Sequence, residues 1–262
     1  MKPAPPGSGL AFVRTDLPGE PAIRATTANV GTTSRCTGLR AAGNPVATVL
    51  TVEHLLAACV GTGLDNAVFA LSGGEVPAGD GSAATWADLI AEAGLVEQPA
   101  EARRLAPPAP VWVSGPGSYL IALPAGGLQV TYVFTADEHA GERADGRGGV
   151  GNQYIDFVVT PETFRRELAP ARTIAFLAEI EALRNRGLAL GGTPEQAVVI
   201  GPNGYAGPCR FPDEPARHKA LDLLGDLALI GPARLYAHVI GIRSGHALNA
   251  ELAKRLFAEG GK

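Results

Sequence analysis

Pro215-Ala-Arg-His218-Lys219-Ala-Leu-Asp222-Leu-Leu-Gly-Asp226-Leu-Ala-Leu-Ile230 is the stretch on which the reading of this chain turns. It is the best helical pattern in the sequence, opening with Pro in the first turn, where a missing N–H costs little. His218, Asp222 and Asp226 recur at i, i+4 and i+8 and so stack along one face. Leu221, Leu224 and Leu227 supply apolar neighbours, which points to a well-buried helix. Three metal-capable groups on one stripe are costly if that face is buried without partners. The solvated edge of an amphipathic helix produces the same spacing, so this stretch does not decide its chemistry alone.

Two other stretches bear on it. Thr51-Val52-Glu53-His54 opens an otherwise apolar helix, Leu55-Leu-Ala-Ala-Cys-Val60, and a Glu-His pair there calls for a partner or a metal. Two histidines and one aspartate, His54, His218 and Asp222, leave zinc one open position for water, as in catalytic sites. Such water has a pKa near 7, and Glu53, beside a ligand without being one, can take its proton, a logic shared with H-E-x-x-H peptidases but not their spacing. Ser244-Gly-His246-Ala-Leu-Asn249 supplies a candidate general acid, His246, with Asp226 placed to keep it protonated. A surface-loop histidine is the alternative for His246.

Strand and helix patterns follow one another in runs in each half. Gly9 to Arg14, Pro21 to Arg24 and Asn66 to Leu71 read as strands, and Val52 to Val60 and Ala83 to Ala93 as helices, the latter with Ser82 or Asp80 as cap and a stop at Gly94. Gln98 to Pro110 is rich in Pro, Ala and Arg and reads as a linker. Beyond it, Pro110 to Val113, Tyr119 to Leu123, Leu128 to Phe134, Tyr154 to Val159, Val198 to Ile200 and Leu235 to Ile242 read as strands. Pro161 to Leu168, Ala175 to Arg186 and Ala247 to Phe257 read as helices. This order favours an α+β fold in two domains, residues 1–105 and 110–262, over a doubly wound parallel sheet.

The 262 residues carry a net charge of -4, which argues against a nucleic-acid partner. Glu53 and His54 interrupt the best apolar run, Val46 to Leu64, so no span suits a bilayer. The opening Met-Lys-Pro-Ala-Pro-Pro has no secretory pattern. Cys36, Cys59 and Cys209 are too few and scattered for a disulfide framework and fit reduced cytosolic thiols, with Cys36 a candidate site-edge residue. Gly146-Arg-Gly-Gly-Val-Gly151 satisfies G-x-G-x-x-G, but a polar run precedes it and a strand follows, the wrong context for a dinucleotide loop. His139 and His238 read as structural.

Thr51-Val-Glu-His-Leu-Leu-Ala-Ala58, Asp80-Gly-Ser-Ala-Ala84, Ala171-Arg-Thr173, Arg186-Gly-Leu-Ala-Leu-Gly-Gly192, Arg217-His-Lys-Ala-Leu-Asp222 and Ser244-Gly-His-Ala-Leu-Asn249 resemble, in order, the UDP-3-O-acyl-N-acetylglucosamine deacetylases (the LpxC family). The resemblance runs from about Phe12 to Phe257. It implies two domains, each a sheet, with helices packed between the two sheets. It also implies a cytoplasmic, monomeric enzyme of lipid A synthesis that releases acetate from an acylated, UDP-linked N-acetylglucosamine, with transient contact to membrane enzymes. Zinc, with ferrous iron as the alternative, would be held by His54, His218 and Asp222. Glu53 would be the base and His246, supported by Asp226, the acid. Thr173 would donate to the oxyanion. Lys219, Arg243 (where the family often has Lys) and Phe176 would meet phosphate, sugar or nucleotide. Ile174, Leu177 and Ile180, within an apolar helix Ile174 to Leu183 with Ala189 and Ala197 beyond, would line an acyl passage. Ile174 stands where an aromatic residue is common, and the Cys36-to-His54 segment is slightly long. The family's strand and Gly-rich turn ahead of Gly9 to Leu17 are lacking, which predicts impaired folding if these 262 residues are the whole product; a cooperative, zinc-loaded monomer would refute that. A zinc amidase for another N-acetylated sugar and an idle binding module are the competing readings.

Overall fold

The computed structural model describes residues 1–135, 150–184, 194–202 and 204–259. In chain order the strands of the first half are β1 (Lys2–Pro3), β2 (Leu10–Arg14), β3 (Ala22–Arg24), β4 (Val30–Thr32), β5 (Gly38–Ala41), β6 (Asn44–Val49) and β7 (Ala67–Leu71), with helices α1 (Glu53–Thr62) and α2 (Ala84–Ala93). A four-stranded sheet runs β1-β7-β2-β3, and β4-β5-β6 form a separate antiparallel sheet. β2 and β7 are parallel and set Phe12 opposite Phe69, whose rings lie 5.5 Å apart in the core. Helix α1 is apolar nearly all round and accordingly buried, ending on Gly63 at φ 81°, a left-handed cap that glycine adopts without penalty.

The second half contains β8 (Arg103–Leu105), β9 (Val111–Gly115), β10 (Ser118–Pro124), β11 (Gln129–Phe134), β12 (Gln153–Val158), β13 (Thr173–Phe176), β14 (Ala197–Gly201), β15 (Gly204–Tyr205), β16 (Ala233–Leu235) and β17 (Ala237–Ile242). Its helices are α3 (Pro161–Thr163, continued by a π-helical turn, Phe164–Leu168), α4 (Leu177–Arg184), α5 (Glu214–Leu227) and α6 (His246–Glu259). The main sheet is ordered β12-β11-β17-β10-β9, and β13-β14-β15 form a smaller one. Along β17, Ala237, Val239 and Gly241 point inward and alternate with half-buried His238, Ile240 and Ile242, the period of a one-sided sheet. The architecture is mixed α+β, as expected.

α5 packs against α1 on one side and β11 on the other, while α6 lies on β9. All of α5 except Arg217 and Lys219 is buried. The solvated-edge alternative for its His-Asp-Asp stripe therefore fails. Gly225 lets the two central helices meet: a Cβ there would lie 2.0 Å from the Glu53 carbonyl oxygen.

Several elements differ from the sequence reading. The expected linker holds β8, which pairs in parallel with β16 because Leu105 and Leu235 both bury their side chains. The start of the expected helix Ala175 to Arg186, and of the apolar helix Ile174 to Leu183, is strand: Thr173 to Phe176 pair in parallel with Ala197 to Ile200, and the helix begins only at Leu177. Tertiary pairing outweighs helical patterning over those residues. β4, β5 and β6 escaped the reading because their short, Gly- and Thr-rich runs lack clean alternation. The glycine-rich run at 146–151 lies mainly, and His139, Arg186 and Ala189 lie wholly, outside the described residues.

Candidate metal centre

α1 and α5 set their polar groups face to face. His54 and His218 meet edge to face with ring centroids 4.9 Å apart. Asp222 Oδ1 lies 3.5 Å from His54 Nε2 and 3.3 Å from His218 Nε2. The one ligand atom offered by each of these three residues lies within 4.8 Å of the others. His218 Nδ1 stands 3.0 Å from the Ala171 carbonyl, so Nδ1 carries the hydrogen and Nε2 presents a lone pair. Asp222 Oδ1 is buried and has no hydrogen-bond partner among the described residues, whereas Oδ2 accepts from Lys219 Nζ at 2.7 Å. Three ligand-capable atoms converging in a buried site, one of them a carboxylate oxygen without a hydrogen bond, fit a divalent cation and are expensive without one.

The charges follow from burial and neighbours. Burial lowers the His218 pKa to about 4, against the pull of Asp222, leaving the neutral imidazole a metal needs. Burial also works against charge on His54, but contact with Asp222 raises it overall. A cation would compete with that proton for the same lone pair. For Asp222, burial is outweighed by Lys219 and the histidines, which hold its carboxyl well below the ordinary range. Lys219 itself is raised, Asp222 overcoming its burial.

Glu53 is buried beside His54, and burial raises its pKa above the usual carboxylate range. Its Oε2 accepts the Thr37 N–H at 3.0 Å. His246, the first residue of α6 rather than a loop residue, places Nδ1 2.9 Å from Asp226 Oδ2 and Nε2 3.9 Å from Asp222 Oδ2. Burial opposes its charge, but Asp226 and Asp222 prevail and raise it to about 9. Tyr132, fully buried, donates its hydroxyl to the Ser244 carbonyl at 2.5 Å and anchors the approach to α6. A cavity of about 520 Å³ opens at His246, lined by Arg35, Ser118 and Leu248.

Of the four non-glycine residues with positive φ among those described, three sit at entries to this site: Arg35 at 67°, Thr51 at 58° and Arg243 at 55°. For β-branched Thr51 this is a genuine outlier; it lies two residues before Glu53. Strain of this kind persists where the surroundings over-determine it.

The remaining expected residues lie around the cluster. Thr173 opens β13 two residues after the Ala171 carbonyl, its N–H donating to Gly81 O at 2.7 Å. Gly81, at φ 79°, passes so close that a Cβ would lie 1.7 Å from Gln196 O. Ile174 and Phe176 pack on the core from β13, while Leu177 and Ile180 lie on α4, Leu177 exposed. Arg243 follows β17, its guanidinium beside the Gly117 turn. Cys36 is half-buried, its thiol raised by burial. Thr37, Gly225 and the Ala171 carbonyl escaped the sequence reading. Backbone donors and acceptors leave no mark on residue type, and Thr37 adjoins Cys36 without a pattern of its own.

Fold and site together define a mixed α+β protein with a two-histidine, one-aspartate metal-type centre flanked by a buried glutamate. A model of the UDP-3-O-acyl N-acetylglycosamine deacetylase family, LpxC, matches residues 1–258. Curated relatives named UDP-3-O-acyl-N-acetylglucosamine deacetylase include one from Trichormus variabilis, 42% identical over 98% of this chain and 89% of its own length. Another, from Thermosynechococcus vestitus, is 39% identical over 98% and 85%, and one from Chlamydia felis is 37% identical over 99% and 89%. The chain belongs to the LpxC family.

Proposed function

We propose that this protein hydrolyses the acetamide of a UDP-3-O-acyl-N-acetylglucosamine to the free amine and acetate, the committed step of lipid A synthesis. The carrying observation is the orphaned Asp222 Oδ1 facing two imidazole Nε2 atoms beside buried Glu53. Family membership and the names of the relatives support the same substrate.

In this reading His54, His218 and Asp222 would hold zinc, or ferrous iron in the cell. A metal bound there would supply Lewis acidity, polarising a carbonyl and lowering the pKa of water. Glu53, with its raised pKa, takes the proton from the attacking water. His246, kept protonated by Asp226, gives a proton to the departing amine nitrogen. The Thr173 hydroxyl donates to the oxyanion as the carbonyl becomes tetrahedral. Lys219 and Arg243 meet phosphate or sugar, Phe176 the nucleotide or sugar, and Ile174, Leu177 and Ile180 flank the acyl chain.

We read two domains, residues 1–105 and 110–262, with β8 at their junction pairing onto β16; the packing of α1 against α5 supports helices lying between the two sheets. We read the enzyme as a cytoplasmic monomer with transient contacts to membrane enzymes. Among the described residues no helix is long and apolar enough to cross a membrane.

Mass-spectrometric detection of acetate from the acylated UDP-sugar, with a chelator control and substrates lacking UDP or the acyl group, tests this reading. Acetate release indifferent to chelation would overturn the metal role. Equal turnover of the truncated sugars would favour a general N-acetyl-sugar amidase.

A further inference from the structure

Thr37 is fully buried at the entry to β5 and makes three hydrogen bonds in three directions. Its N–H donates to Glu53 Oε2 at 3.0 Å, its carbonyl accepts the Val52 N–H at 3.1 Å, and its hydroxyl donates to Asp226 Oδ1 at 2.5 Å. The other Asp226 oxygen accepts from Asn249 Nδ2 at 2.8 Å and faces His246 Nδ1 at 2.9 Å. One residue thus touches both the carboxylate beside the metal-type cluster and the carboxylate that orients His246. We propose that Thr37 is a positioning residue that locks Glu53 and the Asp226–His246 pair into one fixed relation, an inference that rests on the deacetylase reading above.

The chemistry is directional. A threonine hydroxyl has one proton, and here Asp226 receives it. With Thr37 and Asn249 both donating, Asp226 is an acceptor, so the hydrogen between it and His246 belongs to Nδ1. That fixes the tautomer and turns Nε2 toward the site, where it lies 3.9 Å from Asp222 Oδ2. The β-branched side chain has few rotamers, so ordering it costs little. The backbone arm works independently: Thr37 N–H and C=O grip Glu53 and Val52, the two residues at the start of α1. The left-handed turn at Arg35 brings the chain inward just before Thr37.

The test uses the full chain loaded with zinc and the acylated UDP-N-acetylglucosamine, assayed well below the Tm of each variant. Thr37→Val is expected to lower kcat about 10–100-fold, the usual cost of losing an orienting partner, with KM and zinc content nearly unchanged. Thr37→Ser keeps the donor and is expected to stay within about threefold of wild type, since only rotamer freedom changes. In a His246→Ala background, Thr37→Val is expected to cost less than about twofold, because the group it orients is gone. If Thr37→Val does not fold, Thr37→Ala, which sets no methyl against the carboxylate, carries the same expectations. Wild-type kcat in the valine or alanine variant, a loss confined to KM or zinc content, failure of serine to rescue, or full multiplication with His246→Ala each overturns the proposal. If the wild-type protein releases no acetate, the deacetylase reading falls first and takes this role with it.

Discussion

Two groups of histidine and aspartate lie on opposite sides of the second-half sheet, and they differ in what surrounds them. On the outer face, Thr131 Oγ1 donates to Asp156 Oδ1 at 2.6 Å and stands 2.7 Å from His238 Nε2, with Gln129 Nε2 donating to the same carboxylate at 3.0 Å. The side chains of His238 and Asp156 are 26% and 38% exposed. In the interior, the corresponding values for His54, His218 and Asp222 are 8%, 3% and 4%, and one carboxylate oxygen has no hydrogen-bond partner among the described residues. Outside, hydroxyl, amide and water share the work of solvating the charge. Inside, desolvation is severe and a cation would complete the set. The same residue types thus make a surface ornament in one place and a candidate reaction centre in the other.

Metal content gives the widest separation between the two groups. His54→Ala combined with Asp222→Ala is expected to abolish zinc binding by elemental analysis, while His238→Ala with Asp156→Ala retains it; stoichiometric zinc in the first variant would erase the distinction. Glu53→Ala is expected to cut kcat for acetate release by about 10²–10⁴-fold with the metal still bound, the range for loss of a general base. Unchanged turnover would refute the proposed mechanism.

A proton titration sharpens the contrast further. His246 is raised from 6.5 to about 9 in the folded protein. A raised folded pKa means that its contribution is complete below about pH 6.5 and is lost as pH rises through about 9. Chelated protein is therefore expected to lose on the order of 2–3 kcal/mol across that window, and His246→Gln to flatten the loss. A pH-independent Tm over this range would contradict the charged pair with Asp226.

Gly225→Ala is expected to destabilise by about 1–3 kcal/mol and to reduce activity as well, because the added methyl meets the Glu53 backbone at 2.0 Å. Normal kcat in a folded variant would show that the interhelical contact does not set the position of Glu53. The smallest effect belongs to the outer face: His238→Ala is expected to change stability by less than about 0.5 kcal/mol and activity not at all. A large loss there would mean that the two groups are coupled through the sheet.

Much of the candidate site was legible because helical period and residue type suffice to write it down. The i, i+4, i+8 spacing of His218, Asp222 and Asp226 and the Glu53-His54 pair in an apolar helix are local patterns, and the helices carrying them form where the spacing predicts. Thr37 was illegible because it works through a backbone N–H and a contact 189 residues away in sequence. The strand at Ile174 and Phe176 was illegible for a related reason: β14, 24 residues on, supplies its hydrogen bonds.

By itself the chain determined which residues have the chemistry to bind a metal and move protons, and which helices carry them, since both depend on side-chain identity and the 3.6-residue period. Tertiary structure alone decided that His54 and His218 meet, that Asp222 is left with an oxygen to share, and that β8 closes onto β16. Those outcomes depend on burial and on partners distant in sequence, and the free energy of a polar group is set by what desolvates it as much as by what it is.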